Sequence, residues 1–147
     1  MLIYDLNANP LNSNEWAFPL TECFHITSFA LSIGMIALVD LRLLGLAFKG
    51  QTPGQIVKDT GLWTFAGLVI VIISGLLIFS SDPLRYLYNT GFQAKITVLV
   101  LAIIFNYTIH RRVALSNTDG TTAKMVGALS LLLWVLVPFG GIWISFV

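Results

Sequence analysis

The amino-acid sequence predicts an all-α integral membrane protein, a single transmembrane domain of 147 residues that folds as a four-helix bundle. Hydrophobic residues make up 56% of the chain and charged residues only 10%, whereas about 25% of the residues of a soluble domain are charged. The mean hydropathy is +0.85. The four spans are predicted at residues 17–47, 62–80, 92–110 and 124–146, each near the roughly 20 residues that cross a bilayer.

The first span follows an arm, residues 1–14, that we expect to lie at one membrane surface. Trp16 marks the membrane interface, because tryptophan is enriched there, and Pro19 is compatible with the first turn of a helix. The arm has no lysine or arginine and contains Asp5. A cleaved signal peptide needs a basic start, so we expect the first span to be retained.

The remaining elements follow from breaks in the apolar pattern. Residues 51–61 are predicted to be a polar connection, in which Thr52-Pro53 signals a turn or a new helix start. Trp63 anchors the second span. Asp82 and Pro83 form a helix-start pattern, which predicts a short interfacial helix at residues 83–89. The third span ends at two arginines, and a turn-rich loop at residues 117–122 precedes the fourth.

The lysines and arginines predict the orientation. Six of them fall on the side of the loops after the first and third spans, and two fall on the other side, Arg85 and Lys95. Positive residues in short loops favour the cytoplasm. We therefore expect a multi-pass protein of a bacterial inner membrane with both termini on the non-cytoplasmic, periplasmic side.

Glu22 and His25 form the first candidate site. At 3.6 residues per turn they share a face of about 120° with Ser28, Ser32 and Asp40, and polar residues in membrane helices turn toward other helices. Two interpretations stay open. The pair binds a cofactor, either a b-type haem, a quinone or a metal ion with His25 as its ligand, or it only ties helices together through a hydrogen bond.

The depth of the histidines bears on the haem hypothesis. His25 lies near the outer end of the first span and His110 at the inner end of the third, so their imidazoles should be about 16 to 20 Å apart along the membrane normal. Two axial ligands of one iron are only about 4 Å apart, given metal–nitrogen bonds near 2 Å. A bis-histidine haem within one chain is therefore not expected, and a haem on His25 would need a ligand from elsewhere.

A second candidate cluster lies at the inner end of the bundle and contains Asp40, Arg42, His110 and Arg111. Asp40 is expected to pair with an arginine or with His110. The cluster is interpreted either as a structural interfacial ion pair or as a binding site for anionic lipid head groups.

Composition also limits the partners. The net charge of +1 and the absence of a basic stripe give no support for nucleic-acid binding, and the single Cys23 excludes an intramolecular disulfide. The expected partners are membrane lipids and other membrane-protein subunits.

Several short motifs together resemble an uncharacterised family of bacterial four-helix inner-membrane proteins. They are Glu22-x-x-His25, Asp40-Leu-Arg-Leu-Leu-Gly45, Gly91-Phe-x-x-Lys95, Asn106-x-x-x-His110 and Ser130-x-x-x-Trp134. The architecture also looks distantly like the copper-resistance D and cytochrome b561 bundles. The resemblance implies an inner-membrane bundle in redox or copper surroundings.

Three functions are compatible with these observations. The first is a non-catalytic accessory subunit of a larger energy-converting or redox complex, with a quinone, lipid or haem pocket. The second is a stand-alone b-type haem or quinone-reactive electron carrier. The third is a proton-coupled or copper transporter, which ranks last because only the first span has a polar stripe.

Overall fold

A computed structural model describes residues 8–147, and this part of the chain is an all-α bundle, as predicted. Its α-helices are α1 (Pro10–Ser13), α2 (Ala17–Leu43), α3 (Pro53–Ser81), α4 (Pro83–Tyr88), α5 (Thr90–Phe105), α6 (Arg111–Leu115) and α7 (Thr121–Trp143). A π-helical turn, Asn106–His110, joins α5 to α6. Four helical segments are long and apolar enough to cross a membrane: α2, α3, the continuous Thr90–Leu115 and α7. The interfacial arm predicted at residues 1–14 falls partly outside the described residues.

The first span ends earlier than predicted, at Leu43 instead of residue 47. Gly45 has a φ of +74°, which favours glycine. The Gly45 N–H bonds to the Arg42 carbonyl and the Leu46 N–H to the Leu41 carbonyl, the pattern of a Schellman motif. The glycine therefore stops α2 before the apolar residues that follow it.

The second span begins at Pro53 instead of residue 62. Of the two interpretations of Thr52-Pro53, the helix start is confirmed, and residues 53–61 are helical instead of forming a connection. Thr52 caps α3 through its side chain, Gln55 completes a capping box, and Pro53 occupies the first turn. These local bonds start the helix in polar sequence. Lys58 and Asp59 are exposed, whereas Ile56 is buried.

The spans pack in chain order around the bundle. α2 packs along α3 and α5 along α7, while α2 contacts α7, and α3 contacts α6, over shorter stretches. Small residues permit close approach of the helices at Gly67 and Gly127. A Cβ at Gly67 would overlap Ser32 Oγ, and one at Gly127 would lie 3.0 Å from the Asp40 carbonyl oxygen.

The bundle has two ends, which we name by their contents. The basic end contains the connections 44–52 and 116–120, and the terminal end contains α1, α4 and the last residues of the chain. At the terminal end Asn12 bonds to the Ser81 carbonyl, and Asn89 bonds to the carbonyls of Ile144 and Val147. These bonds fasten α1 and the chain end to the membrane-spanning helices.

Candidate functional site

A fully buried polar network joins three spans near the basic end. His110 Nε2 lies 2.6 Å from Asp40 Oδ1, and Ser130 Oγ donates to Asp40 Oδ2 at 3.0 Å. The exposed fractions of Asp40, His110 and Ser130 are 0%, 2% and 0%. The prediction that Asp40 pairs with an arginine or with His110 is confirmed for His110.

Local structure brings these three side chains together. Asp40 lies in the last turn of α2, where Gly127 lets α7 approach the α2 backbone. His110 closes the π-helical turn of the third span. A π-helical turn holds one more residue than an α-helical turn and is frequent at functional sites. Here Asn106 and His110 are buried while Arg111 and Arg112 are exposed.

A cavity of about 30 Å³ adjoins the network between α2, α3 and the π-helical turn. Its polar lining comes from Thr60, Thr64, Asn106, Tyr107, His110 and Arg111. Tyr107 and Arg111 are exposed, so the cavity reaches the surface of the bundle. A water needs roughly 10 to 15 Å³ of such space, and the cavity therefore has room for about two waters.

The second ring nitrogen of His110, Nδ1, has no hydrogen-bond partner among residues 8–147. Trp134 Nε1 is the one fully buried side-chain nitrogen or oxygen in that range without a partner. Nδ1 therefore keeps access to open space, and His110 is one of the residues that line the cavity. The imidazole connects Asp40 on one side with the cavity on the other.

The two arginines of the predicted cluster do not join this network. Arg42 points away from Asp40, donates to the Gln51 carbonyl at 2.6 Å and pairs with Asp119 at 3.3 Å. Arg111 lines the cavity rim. Because α2 ends one residue after Arg42, its side chain reaches the loops instead of the bundle interior.

The other candidate site, Glu22 and His25, separates in the structure. His25 faces α3, where its Nδ1 lies 2.9 Å from Ser74 Oγ, and a Cβ at Gly75 would lie 3.2 Å from His25 Cε1. Glu22 is exposed and has no hydrogen bond or ion pair in the described part of the chain. The prediction that Glu22 faces the bundle interior beside His25 was wrong.

The packing of α7 explains the outward position of Glu22. α7 contacts α2 through Gly127, Ser130 and Trp134, which meet α2 between its middle and its C-terminal end. Its last two turns contact α5, where a Cβ at Gly140 would lie 3.1 Å from Lys95 Cα. At the level of Glu22 the fourth span has therefore moved away from α2. The polar face of α2 continues along the sequence to Glu22, but α7 does not pack against that part of the face.

The two histidines lie at opposite ends of the bundle. His110 bonds to Asp40, which is 15 residues beyond His25 on the same helix, about 22 Å at 1.5 Å per residue. This is slightly more than the predicted separation of about 16 to 20 Å, and the two imidazoles are too far apart to bind one iron. No group of three or more histidine, cysteine, aspartate or glutamate side chains that could hold a metal ion occurs within residues 8–147.

Sequence reasoning missed several polar partners. Ser74 was not singled out, and Ser130 appeared only within a family motif. Trp134, named in the same motif, is 0% exposed and contacts Phe29, and its Nε1 has no hydrogen-bond partner among residues 8–147. A sequence pattern for α3 does exist, because Thr60, Thr64, Gly67 and Ser74 recur at intervals of four, three and seven residues.

The fold and these buried polar groups define a polytopic membrane protein with ionisable side chains inside a four-helix bundle. The chain belongs to DUF6644, a family of unknown function whose pattern matches residues 17–147. The resemblance to an uncharacterised family is thereby confirmed, while the likeness to copper-resistance D and cytochrome b561 bundles stays a prediction. No curated protein and no solved structure matches the chain.

Proposed function

We propose that this protein is a non-catalytic, proton-handling subunit of a larger energy-converting or redox complex in a bacterial inner membrane. The observation that carries the proposal is the buried Asp40–His110–Ser130 network beside a polar cavity. Ionisable residues within membrane spans are costly and mark proton relays and ligand sites.

The geometry of the Asp40–His110 pair favours a proton relay over a hydrogen bond that only holds the helices together. At 2.6 Å the proton between Asp40 and His110 can reside on either group, and Ser130 supports the carboxyl group from the other side. The free Nδ1 of His110 lies beside a cavity that has room for water. An imidazole with one nitrogen on a carboxyl group and the other near water can take up a proton on one side and release it on the other.

The size of the cavity argues against catalysis at this site. About 30 Å³ admits water but no quinone ring or haem. The described residues consist of helices and short connections, without an aqueous domain. A relay of this kind serves a redox or transport reaction that takes place in another subunit.

The basic end is proposed to face the cytoplasm, so that the relay opens to the cytoplasmic side. The support is the six-to-two distribution of lysines and arginines. To test it, Cys23 is first replaced by serine, and single cysteines are placed at Gln51 and Tyr88, which are exposed at opposite ends. A membrane-impermeant maleimide added to intact cells should label Tyr88→Cys and spare Gln51→Cys. The opposite pattern would refute the orientation.

The subunit hypothesis is tested by purification from native membranes in mild detergent. We expect larger redox or energy-converting subunits to copurify in constant ratio, identified by mass spectrometry, and His110→Gln to lower the proton-coupled activity of that complex without loss of assembly. Asp59→Asn is the matched control, because Asp59 is exposed and has no ion pair in the described residues. A monomeric protein with a haem band in its reduced-minus-oxidised spectrum would instead support a stand-alone electron carrier.

Proton-coupled transport is a second candidate function. It ranked last on the sequence, but one observation in the structure favours it. Buried polar side chains come from all four spans, not only from the first: Ser32 and Asp40, Thr64 and Ser74, Asn106 and His110, and Ser130. Purified protein in liposomes with an internal pH dye distinguishes the candidates. A proton flux driven by a substrate gradient, and lost in Asp40→Asn, would support the transporter.

A further inference from the structure

We propose that the polar cavity beside His110 binds a small monovalent anion, such as chloride or formate, together with one proton. The proposal deepens the proton-handling function and rests on it, because the proton goes to the Asp40–His110 pair. It names the class of ligand that the cavity takes.

The lining of the cavity carries a positive charge and no negative one. None of the residues that line it is an aspartate or a glutamate, and Arg111 is the one permanently charged residue among them. The Arg111 side chain has no ion pair or hydrogen bond among residues 8–147. Asp40 is not part of the lining, and its carboxyl group bonds to His110 Nε2. A cleft lined by charge of one sign concentrates ions of the opposite sign, so this cavity favours an anion.

The guanidinium group of Arg111 itself lies at the cavity. A Cβ at Gly61 of α3 would lie 3.9 Å from Arg111 Nη1, and Gly61 also lines the cavity. The charged group of the third span therefore reaches the α3 side of the cavity. A guanidinium group has five N–H donors in a planar fork, so it can bond to an anion in the cavity while its other donors stay hydrated.

Neutral donors complete the lining. Thr64 and Asn106 are buried, and neither side chain has a hydrogen-bond partner in the described part of the chain. Neither belongs to the fully buried, unpartnered groups, of which the described residues contain only Trp134 Nε1. Both residues line the cavity, so the hydroxyl group and the amide group are available to donate to a ligand there.

The volume of the cavity limits the size of the anion. A space of about 30 Å³ holds about two waters. Chloride and formate are of about that size, whereas gluconate is much larger. The cavity therefore selects small anions.

An anion in the cavity requires a second proton on the Asp40–His110 pair. When Asp40 is ionised and His110 is neutral, the imidazole proton lies on Nε2, where the carboxylate accepts it, and Nδ1 presents a lone pair to the cavity. A second proton makes Nδ1 an N–H donor. Its charge balances that of the anion, which lowers the cost of placing the anion within a membrane span.

Few charged or titratable groups face His110 in the described residues. They are Asp40 of α2, and Tyr107 and Arg111 of its own span. A bound anion offsets the repulsion between Arg111 and a cationic imidazole. The polar groups that α3 and α7 add to the network and the cavity are neutral hydroxyl groups: Thr60, Thr64 and Ser130.

Anion binding is measured on the purified full-length protein in detergent, in a gluconate buffer. Chloride or formate should raise the midpoint of thermal unfolding in a saturable way. Arg111→Gln should weaken binding roughly tenfold or more, as for a lost charge-assisted hydrogen bond. Arg112→Gln is the matched control, because Arg112 is also exposed but does not line the cavity.

The two probes distinguish two kinds of small anion. Tighter binding of formate would indicate a planar oxyanion held by two parallel bonds to Arg111, and tighter binding of chloride would indicate a halide. If Arg111→Gln does not accumulate, the ³⁵Cl resonance of chloride is recorded with wild-type protein. Broadening of this resonance that formate reverses would support the site, and an unbroadened resonance with no stabilisation by formate would refute it.

Proton uptake separates this proposal from the relay alone. In a weakly buffered solution with a pH-indicator dye, wild-type protein should take up about one proton per bound anion. His110→Gln should bind the anion without this uptake, because its amide donates without a proton from solution.

Three results would overturn the proposal: equal stabilisation by gluconate, equal affinities of Arg111→Gln and Arg112→Gln, or wild-type binding without proton uptake. The proton relay is tested independently of these results, by the effect of His110→Gln on the activity of the complex.

Discussion

Replacing Asp40 by leucine should destabilise the bundle more than replacing either of its partners. The Asp40 carboxyl group bonds to two other spans, through His110 and Ser130. Interhelical side-chain bonds in membranes average about 0.6 kcal/mol and reach about 1.7 kcal/mol. Asp40→Leu breaks both bonds and leaves two buried donors unpaired, so we expect a loss of about 2 to 4 kcal/mol.

Variants of the two partners of Asp40 test this explanation. Ser130→Ala should cost only about 0.5 to 1.5 kcal/mol, since the carboxyl group keeps His110. The double variant Asp40→Leu with His110→Leu removes the polar pair altogether. Breaking one partner of a buried pair is costly, but apolar replacement of both is often close to neutral. The double variant should therefore be more stable than Asp40→Leu alone.

The free energy of unfolding is measured by steric trapping or by titration with a denaturing detergent, with circular dichroism of the helices as the readout. Asp59→Asn serves as the control and should change stability by less than about 0.5 kcal/mol. Single-variant losses that simply add, within about 0.5 kcal/mol, would refute the reasoning. So would an Asp40→Leu protein that is as stable as the wild type.

Three further predictions concern the backbone and the helix contacts. Gly67→Val should destabilise the α2–α3 contact by about 1 to 3 kcal/mol, because a Cβ at this position would overlap Ser32 Oγ. Gly34→Val, where a Cβ would have no neighbour within 4 Å, should unfold at the same detergent concentration as the wild type. Gly45→Ala should cost about 1 to 2 kcal/mol because of its φ of +74°, and thermal unfolding would contradict this if the midpoint does not fall. Asn89→Ala should speed amide hydrogen exchange in residues 144–147, because Asn89 donates to the carbonyls of Ile144 and Val147. Unchanged exchange would show that α7 alone orders the chain end.

Sequence reasoning was accurate where the information is local. Apolar length predicted the four spans, and Asp82 with Pro83 predicted α4, which begins at Pro83. The Thr52-Pro53 pair was recognised as a possible helix start, yet the polar residues after it led to a predicted connection. A capping box acts through backbone bonds and does not need an apolar face, so α3 begins nine residues before the predicted span.

The two candidate sites show the limit of a helical-wheel argument. Angular position correctly placed His25 and Asp40 toward other helices. The same argument failed for Glu22, which shares the angle of Asp40 but lies where α7 packs on α5 instead of α2. A wheel gives the direction of a side chain and does not show whether another helix lies in that direction.

By itself the sequence determined that the protein lies in lipid, how many spans it has and how its positive charges are distributed. Each of these depends on composition over a stretch of chain. Only the tertiary structure decided the partners of the polar residues. The π-helical turn brings His110 onto Asp40, and α7 adds Ser130. The same crossing of α7 from α2 to α5 places Gly140 against Lys95. These pairings depend on contacts between segments 70 and 90 residues apart, and no local pattern encodes them.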